Sequence, residues 1–451
     1  MNILIINGSP KGKYSVTLQT LLFLEKKYPQ YTFSTLDAGA TIKALEKDFT
    51  KAREALLAAD AIIFSYPVYT FIATSQLHRF IELTKASGVD LSGKIATQIT
   101  TSKHFYDVTA HKYVEENCYD MGLNYIRGLS ADMDDILTEK GRLEASKFFE
   151  FFLHSAEKGI FATPPKRVST YSPVSPTEGK YEEGEKSDKY DVVIITDSKD
   201  DQSQIAKMVN KFRAEFPYKT RIVNISEYPF SGGCLGCFMC AVSGKCVYKD
   251  GFDEFLRNEI QKSPAIVYAF TVSDHSMGSR FKMYDDRNFC NGHRTVTIGT
   301  PVGYLVSGPY SEESNIQMII EGRASVGQNF LAGVATDERD TDRQIRELSD
   351  NLVFALETHH TVPQNFLGVG GMKIFRDLIF SMRGMMRADH KFYKAHGQYD
   401  FPKKYSANVF KMYLVGMLLG NEKIRSKMGS KMKDGMIGPY EKMLKEAFPE
   451  K

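Results

Sequence analysis

Two stretches of this chain open in the same way, and that repetition limits the folds open to it. Met1-Asn-Ile-Leu-Ile-Ile-Asn-Gly-Ser-Pro10 runs an apolar strand into a tight turn, and Tyr190-Asp-Val-Val-Ile-Ile-Thr-Asp197 begins the pattern again. After each, short apolar runs alternate with stretches of helical periodicity, as in βαβ units around a parallel sheet. Strands are expected at 2–6, 31–36, 61–65, 94–99 and 124–128, and helices near 15–27, 41–58, 72–85, 107–121 and 140–157. The second series expects strands near 191–196, 219–225, 265–270, 295–306 and 328–335, and helices near 202–214, 252–262, 279–287, 312–323 and 339–358. The fold class is therefore α/β, two tandem doubly wound parallel sheets of five strands each. Ligands of such sheets sit beyond the carboxyl ends of the strands, at the switch point.

Four segments follow: a first domain over 1–159, a linker over 160–189, a second domain over 190–360 and an extension over 361–451. The linker holds Thr163-Pro-Pro-Lys-Arg167, Ser172-Pro-Val-Ser-Pro176 and a charged run, none of which can bury a core. The extension carries 17 Lys and Arg against 8 Asp and Glu, with ten of the eighteen methionines, and reads as helical. Such a segment suits a helical appendage on the α/β body, a basic surface for a partner or membrane, or a lid over substrate. The net charge of +3 lends nucleic-acid binding no support. No apolar run reaches the ~18 residues of a membrane span, and Asn7 and Gly8 cut the N-terminal run too short for a signal peptide. Four of the six cysteines fall within thirteen residues, the usage of a cytoplasmic metal or redox protein rather than a secreted one.

Chemistry is legible in three loops of the first domain. Gly8-Ser-Pro-Lys-Gly-Lys-Tyr-Ser-Val-Thr17 joins a strand to a helix and aims backbone N–H groups and a helix N-terminus at one spot. It is neither a P-loop nor a Gly-x-Gly-x-x-Gly turn. Its hydroxyls and Lys11 suit a terminal monophosphate, with Ser9, Lys11, Ser15, Val16 and Thr17 as contacts. Pro67-Val-Tyr-Thr-Phe71 ends the third strand, where Val68, Tyr69, Thr70 and Phe71 can flank and hydrogen-bond a planar ring. Thr100-Thr101-Ser102 ends the fourth, beside the ring's polar edge.

These motifs, with Leu77-x-x-Phe80 downstream, resemble the NAD(P)H-dependent FMN reductase group of the flavodoxin-like superfamily, closely over 1–158 and more weakly over 190–358. The resemblance implies FMN, NAD(P)H as electron donor, hydride passing through flavin N5, and no catalytic side chain. It also implies a dimer interface, met within one chain as an internal pseudo-dimer or by a second copy. The acceptor is unnamed, and a ferredoxin-like carrier is an alternative partner. Cluster-free quinone or FMN reduction, and non-enzymatic electron carriage, are the other functions open.

The second domain holds what the first lacks. Cys234-Leu-Gly-Cys237-Phe-Met-Cys240-Ala-Val-Ser-Gly-Lys-Cys246 places four thiols on one glycine-rich loop. Its spacing is similar to the compact motif of iron-sulfur flavoproteins, which implies a [4Fe–4S] cluster. Structural zinc, a thiol–disulfide pair and a cluster-free loop remain open. Cys118 reads as a buried side chain, and Cys290 as a loop thiol, with a place lining the site left open. Thr271-Val-Ser273 stands where Pro67-Val-Tyr69 stands, so the flavin turn is expected to be lost in the second domain. Thr196–Gln202 carries three acidic residues where an anion would sit, so one FMN per chain is expected. Asp274-His275 and His359-His360 read as polar loop residues.

Overall fold

A computed structural model describes residues 1–103, 105–166, 169–198, 200–401, 406–419, 421–422 and 437–448. Arg167 of the expected linker, Lys199 of the acidic turn and much of the basic stretch after 422 lie outside the described residues.

The first domain runs β1 (Asn2–Asn7), α1 (Val16–Lys27), β2 (Thr32–Leu36), α2 (Ala38–Leu45), α3 (Thr50–Ala58), β3 (Ala61–Pro67), α4 (Ser75–Ala86), β4 (Ile95–Ser102), α5 (Val108–Asp120), β5 (Asn124–Tyr125), β6 (Leu129–Asp132) and α6 (Glu139–Lys158). Its sheet is parallel in the order β2-β1-β3-β4-β5, and β6 also pairs with β4. The expected fifth strand is thus two pieces on one neighbour, giving six strands where five were expected. Ile3–Ile6 and Ala61–Phe64 are buried on both faces, which is why these strands read as unbroken apolar runs.

The second domain runs β7 (Ser187–Thr196), α7 (Gln204–Glu215), β8 (Tyr218–Asn224), α8 (Met239–Ser243), α9 (Phe252–Phe255), β9 (Ile266–Thr271), α10 (Gly278–Arg287), β10 (Val302–Ser307), α11 (Ser314–Gly327), β11 (Leu331–Thr336) and α12 (Thr341–Thr358). Its sheet order, β11-β10-β9-β7-β8, is the same 2-1-3-4-5 arrangement. Residues 295–301, expected as strand, form an irregular connector, and β10 starts at Val302. The segment before β7 is strapped to this domain: Val174 N donates to Asp337 O at 2.7 Å and Tyr171 Oη to Asp337 Oδ2 at 2.9 Å.

The two sheets share one core. α1 and α6 cover the outer face of the first sheet through Leu21, Phe149 and Phe152, and α7 and α12 cover the outer face of the second through Phe212 and Leu352. Between the sheets one apolar cluster runs from Phe64, Leu77 and Tyr113 to Phe270, Phe281 and Ile319. Its polar contacts are reciprocal. Ser75 N, at the start of α4, donates to Asp286 Oδ2 on α10 at 2.7 Å, and Ser279 N, at the start of α10, donates to Glu82 Oε1 on α4 at 2.7 Å. Each helix N-terminus is thus met by a carboxylate of the other domain.

α13 (Phe366–Ser381) and α14 (Arg387–Ala395) complete a compact unit over Met1–His396. Gly371 lets α13 approach Phe105 of the first domain, where a Cβ would strike the ring at 2.6 Å. The second unit, Gly397–Lys451, contains α15 (Ser406–Leu419). No helix among the described residues is long and apolar enough to cross a membrane.

Candidate functional site

The loop after β1 is set by its own side chains. Asn7 Nδ2 donates to Gly12 O at 2.9 Å and to Asp37 Oδ1 at 2.7 Å, closing the turn. Ser15 caps α1, accepting from Leu18 N at 3.3 Å, and Ser9 Oγ accepts from Lys11 N at 3.3 Å. Both hydroxyls are buried, both accept a backbone N–H, and both keep their own hydrogen to donate. Thr17 Oγ1 meets Thr101 Oγ1 at 2.6 Å, joining this loop to the end of β4. Two unspent hydroxyl donors at a helix N-terminus suit the phosphate of FMN.

The turn after β3 is closed by the Tyr69–Ile72 bridge, with Thr70 at φ 53° and Phe71 at φ 74°. Left-handed backbone costs roughly 1–2 kcal/mol at each such residue, so the surroundings must impose it. Thr109 Oγ1 donates to Phe71 O, and Lys282 Nζ, from the other domain, donates to Tyr69 O at 3.0 Å. The backbone N–H groups of Thr70 and Phe71 have no acceptor among the described residues. Donors held in that state fit the N5–O4 edge of a flavin ring.

Lys282 is itself fully buried between Asp285, at 2.9 Å, and Asp286, at 2.6 Å. Burial works against its ammonium, but the two carboxylates outweigh it and hold the pKa above the usual lysine value.

The cysteine loop docks on the first domain. Gln76 Nε2 donates to Cys234 O at 3.3 Å and Lys43 Nζ to Ser231 O at 2.5 Å. At Gly236, φ 60°, a Cβ would strike the Tyr69 hydroxyl, so only glycine permits this approach. Tyr69 therefore joins the turn after β3 to the cysteine loop, and its burial keeps the phenol protonated well above the usual range. Lys11, expected at the phosphate, also reaches the cysteine loop. Its ammonium stands 5.5 Å from the Phe238 ring centroid, and burial lowers its pKa against the pull of Cys237 and Cys234.

The donors around the thiols fit an anionic sulfur centre. Gly236 N donates to Cys234 Sγ at 3.4 Å, and Arg287 Nη2 lies 4.0 Å from Cys246 Sγ. No three of the described cysteines bring their sulfurs within 4.8 Å of one another. Cys240 donates its thiol to Phe289 O at 2.8 Å, and burial pushes its pKa up to about 11.

All of this converges on one cavity of about 380 Å³. Of the expected cofactor contacts, Ser9, Lys11, Ser15, Val16, Thr17, Pro67, Val68, Tyr69, Thr70, Phe71, Thr101 and Ser102 line it, and so do Cys234, Cys237, Cys240 and Cys246. Thr100 does not. Alternation along β4 turns it to the opposite face, where its hydroxyl meets His111 Nε2 at 2.8 Å. Phe71 turns its ring into the interdomain core, 4.7 Å from Phe105.

Residues 1–133 match the model of a family described as having the flavodoxin-like fold. The fold is flavodoxin-like. No curated protein matches the chain. Solved structures similar to it include an FMN-dependent NADH-azoreductase from Bacillus anthracis in complex with FMN, at 16% identity and TM-score 0.27, covering 35% of this chain and 98% of that one. General stress protein 14 from Treponema denticola, also in complex with FMN, aligns at 12% identity and TM-score 0.28, covering 35% and 98%. An NADPH-quinone reductase from P. pentosaceus aligns at 17% identity and TM-score 0.28, covering 34% and 97%. These likenesses are of fold alone.

Within this flavodoxin-like pair the second domain departs from expectation at its turn. The backbone is kept: Ser273 bridges Ser276, and Asp274 and His275 are left-handed at φ 49° and 62°. The side chains differ. His275 bonds Glu313 Oε1 at 2.8 Å and Asp120 Oδ2 at 2.9 Å, with Glu116 Oε2 at 3.8 Å. It forms an interdomain ion-pair cluster rather than the plain polar loop expected. In the loop after β7, Ser198 and Ser203 both donate to Asp200 O, at 3.0 and 2.7 Å. The donors left free in the first domain are spent in the second.

The sequence reading missed much of the cavity's second wall. Cys290, for which the sequence leaves open a place lining the site, is buried there, and burial raises it to about 12. Ile374, Phe375 and Leu378 of α13 form another part of that wall. The available signal is the length of the α10–β10 connector, part of which the apolar pattern presents as strand.

Proposed function

We propose that the chain is an FMN-dependent oxidoreductase in which one FMN binds the first domain beside a [4Fe–4S] cluster on Cys234, Cys237, Cys240 and Cys246, with NAD(P)H as donor. The observation that carries this reading is that the three first-domain loops and all four cysteines line one cavity. When bound, FMN supplies interconversion between a two-electron donor and one-electron carriers. The chain's own residues do the rest. Ser9, Ser15 and the start of α1 bind the phosphate, Thr70 and Phe71 present backbone donors to the ring, and Lys11, Arg287 and Gly236 N–H stabilise sulfur charge. The spent donors after β7 support a single flavin per chain.

We also read the chain as a tandem duplication. Tyr69 corresponds to Ser273, Ser75 to Ser279 and Glu82 to Asp286 at one constant step, and the contacts they make are reciprocal. The conventional dimer interface is then supplied internally.

A second reading, a cluster-free NAD(P)H:quinone or FMN reductase, is favoured by the Cys240 thiol, which already has a protein acceptor in Phe289 O. Anaerobic purification separates the two. The first expects one flavin and about four irons per chain, with a broad absorption shoulder beside the flavin bands; flavin without iron supports the second. Two flavins per chain would overturn the single-site reading. No NAD(P)H oxidation with any acceptor, together with reversible reduction by ferredoxin, would make the chain a carrier.

A further inference from the structure

The cavity continues into the second domain under a connector that the first domain lacks. Between α10 and β10 the chain takes residues 288–301, whereas α4 and β4 are joined by residues 87–94. The longer connector carries residues 290–297 along the cavity wall, and β9 and β10 contribute Ile266, Tyr268, Val302 and Tyr304 from the sheet side. Alternation at the start of each strand places both tyrosines on one face, with ring centroids 5.1 Å apart.

Three donors meet at this end without an acceptor. Arg323 Nη2 pairs with Asp285 Oδ1 at 2.6 Å, but Arg323 Nη1 is buried and has no partner. Neither the Tyr268 nor the Tyr304 hydroxyl has an acceptor among the described residues, and all three side chains line the cavity. Burial pushes Tyr268 up to about 12 and Tyr304 higher still, so both phenols keep their protons. Buried donors are normally satisfied, and an apolar pocket with a few convergent polar groups is the usual form of a small-molecule site. A carbonyl oxygen offers two lone pairs, too few for three donors. A carboxylate offers four.

We propose that this lobe binds an apolar molecule bearing one carboxylate, its body against Ile266, Val302 and Leu256 and its oxygens on Arg323 Nη1 and the Tyr268 and Tyr304 hydroxyls. The proposal does not depend on the flavin reading.

The test is calorimetric titration of the full chain with 2-naphthoate and with its neutral isostere 2-naphthamide. The carboxylate is expected to bind at least about tenfold more tightly, the difference one charge-assisted hydrogen bond makes. Arg323→Gln should abolish that preference, and Tyr304→Phe should reduce it severalfold. Because Arg323→Gln also breaks a buried ion pair, Tyr304→Phe, which keeps the ring, decides the matter if the first variant does not fold. Failure of 2-naphthoate to bind, equal binding of the amide, or an unchanged preference in Tyr304→Phe would each overturn the proposal. Flavin content is read separately and bears on none of these outcomes.

Discussion

His275 should make the interdomain contact sensitive to pH, and the size of the effect follows from its surroundings. Burial alone would lower its pKa, but hydrogen bonds and charge from Asp120 and Glu313 raise it from 6.5 to about 9. Glu116 faces the same ring from α5, while Lys85 on α4 pairs with Asp120 and Asp274 nearby. A group whose folded pKa is raised contributes stability in full below its unfolded value and loses it as pH rises through the folded value. The window here runs from about 6.5 to about 9. The shift corresponds to about 3 kcal/mol at 1.36 kcal/mol per unit. Asp120 is 41% exposed, and solvent screens its share of the pair, so about 2–3 kcal/mol is expected.

Urea titrations of the wild type and of His275→Gln, followed by circular dichroism at pH 6 and pH 10, measure this directly. The stability gap between the two proteins should shrink by about 2–3 kcal/mol from the lower pH to the higher. A gap that stays constant within about 0.5 kcal/mol would show that folding does not raise the pKa of His275, and the argument from the ion-pair cluster would fail.

Lys282→Met removes the cation between two buried carboxylates and the donor to Tyr69 O. It should cost about 3–5 kcal/mol and appear as a lowered thermal midpoint. Ser9→Ala and Ser15→Ala each remove one hydroxyl donor from the phosphate loop and should weaken FMN about tenfold or more in a fluorescence titration. Ser203→Ala, on the second domain, should leave FMN affinity unchanged; equal losses on both domains would contradict the single-site reading. Thr101→Val should weaken FMN through the lost Thr17 contact while Thr100→Val does not, and the reverse order in the same titration would mean that the β4 face has been misassigned.

Local chemistry was legible wherever one stretch of chain carries it. The β1–α1 loop could be read as a donor array because its hydroxyls, cap and helix lie within ten residues. The turn after β3 and the four closely spaced cysteines were legible for the same reason. Tertiary context altered the reading at single side chains. Lys11 of the β1–α1 loop also meets the cysteine loop, because the second domain's Phe238 and thiols lie within its reach. Phe71 was drawn into an interdomain core that no local pattern announces. In the second domain's turn, different side chains sit on the same backbone form, since left-handed φ at Asp274 and His275 is imposed by the fold and by Asn117 Nδ2 on Asp274 O.

The sequence alone determined two parallel sheets, the placement of each reactive loop beyond a strand's carboxyl end, and the asymmetry between the halves. These follow from residue periodicity and from turn chemistry, which act over a few residues. Only the tertiary structure decided that the two incomplete halves face one cavity. Ser75 meets Asp286, Ser279 meets Glu82, and Tyr69 meets Gly236 across separations of well over a hundred residues. Such pairings depend on the packing of α4 against α10, and neither helix carries in its own sequence the identity of its partner.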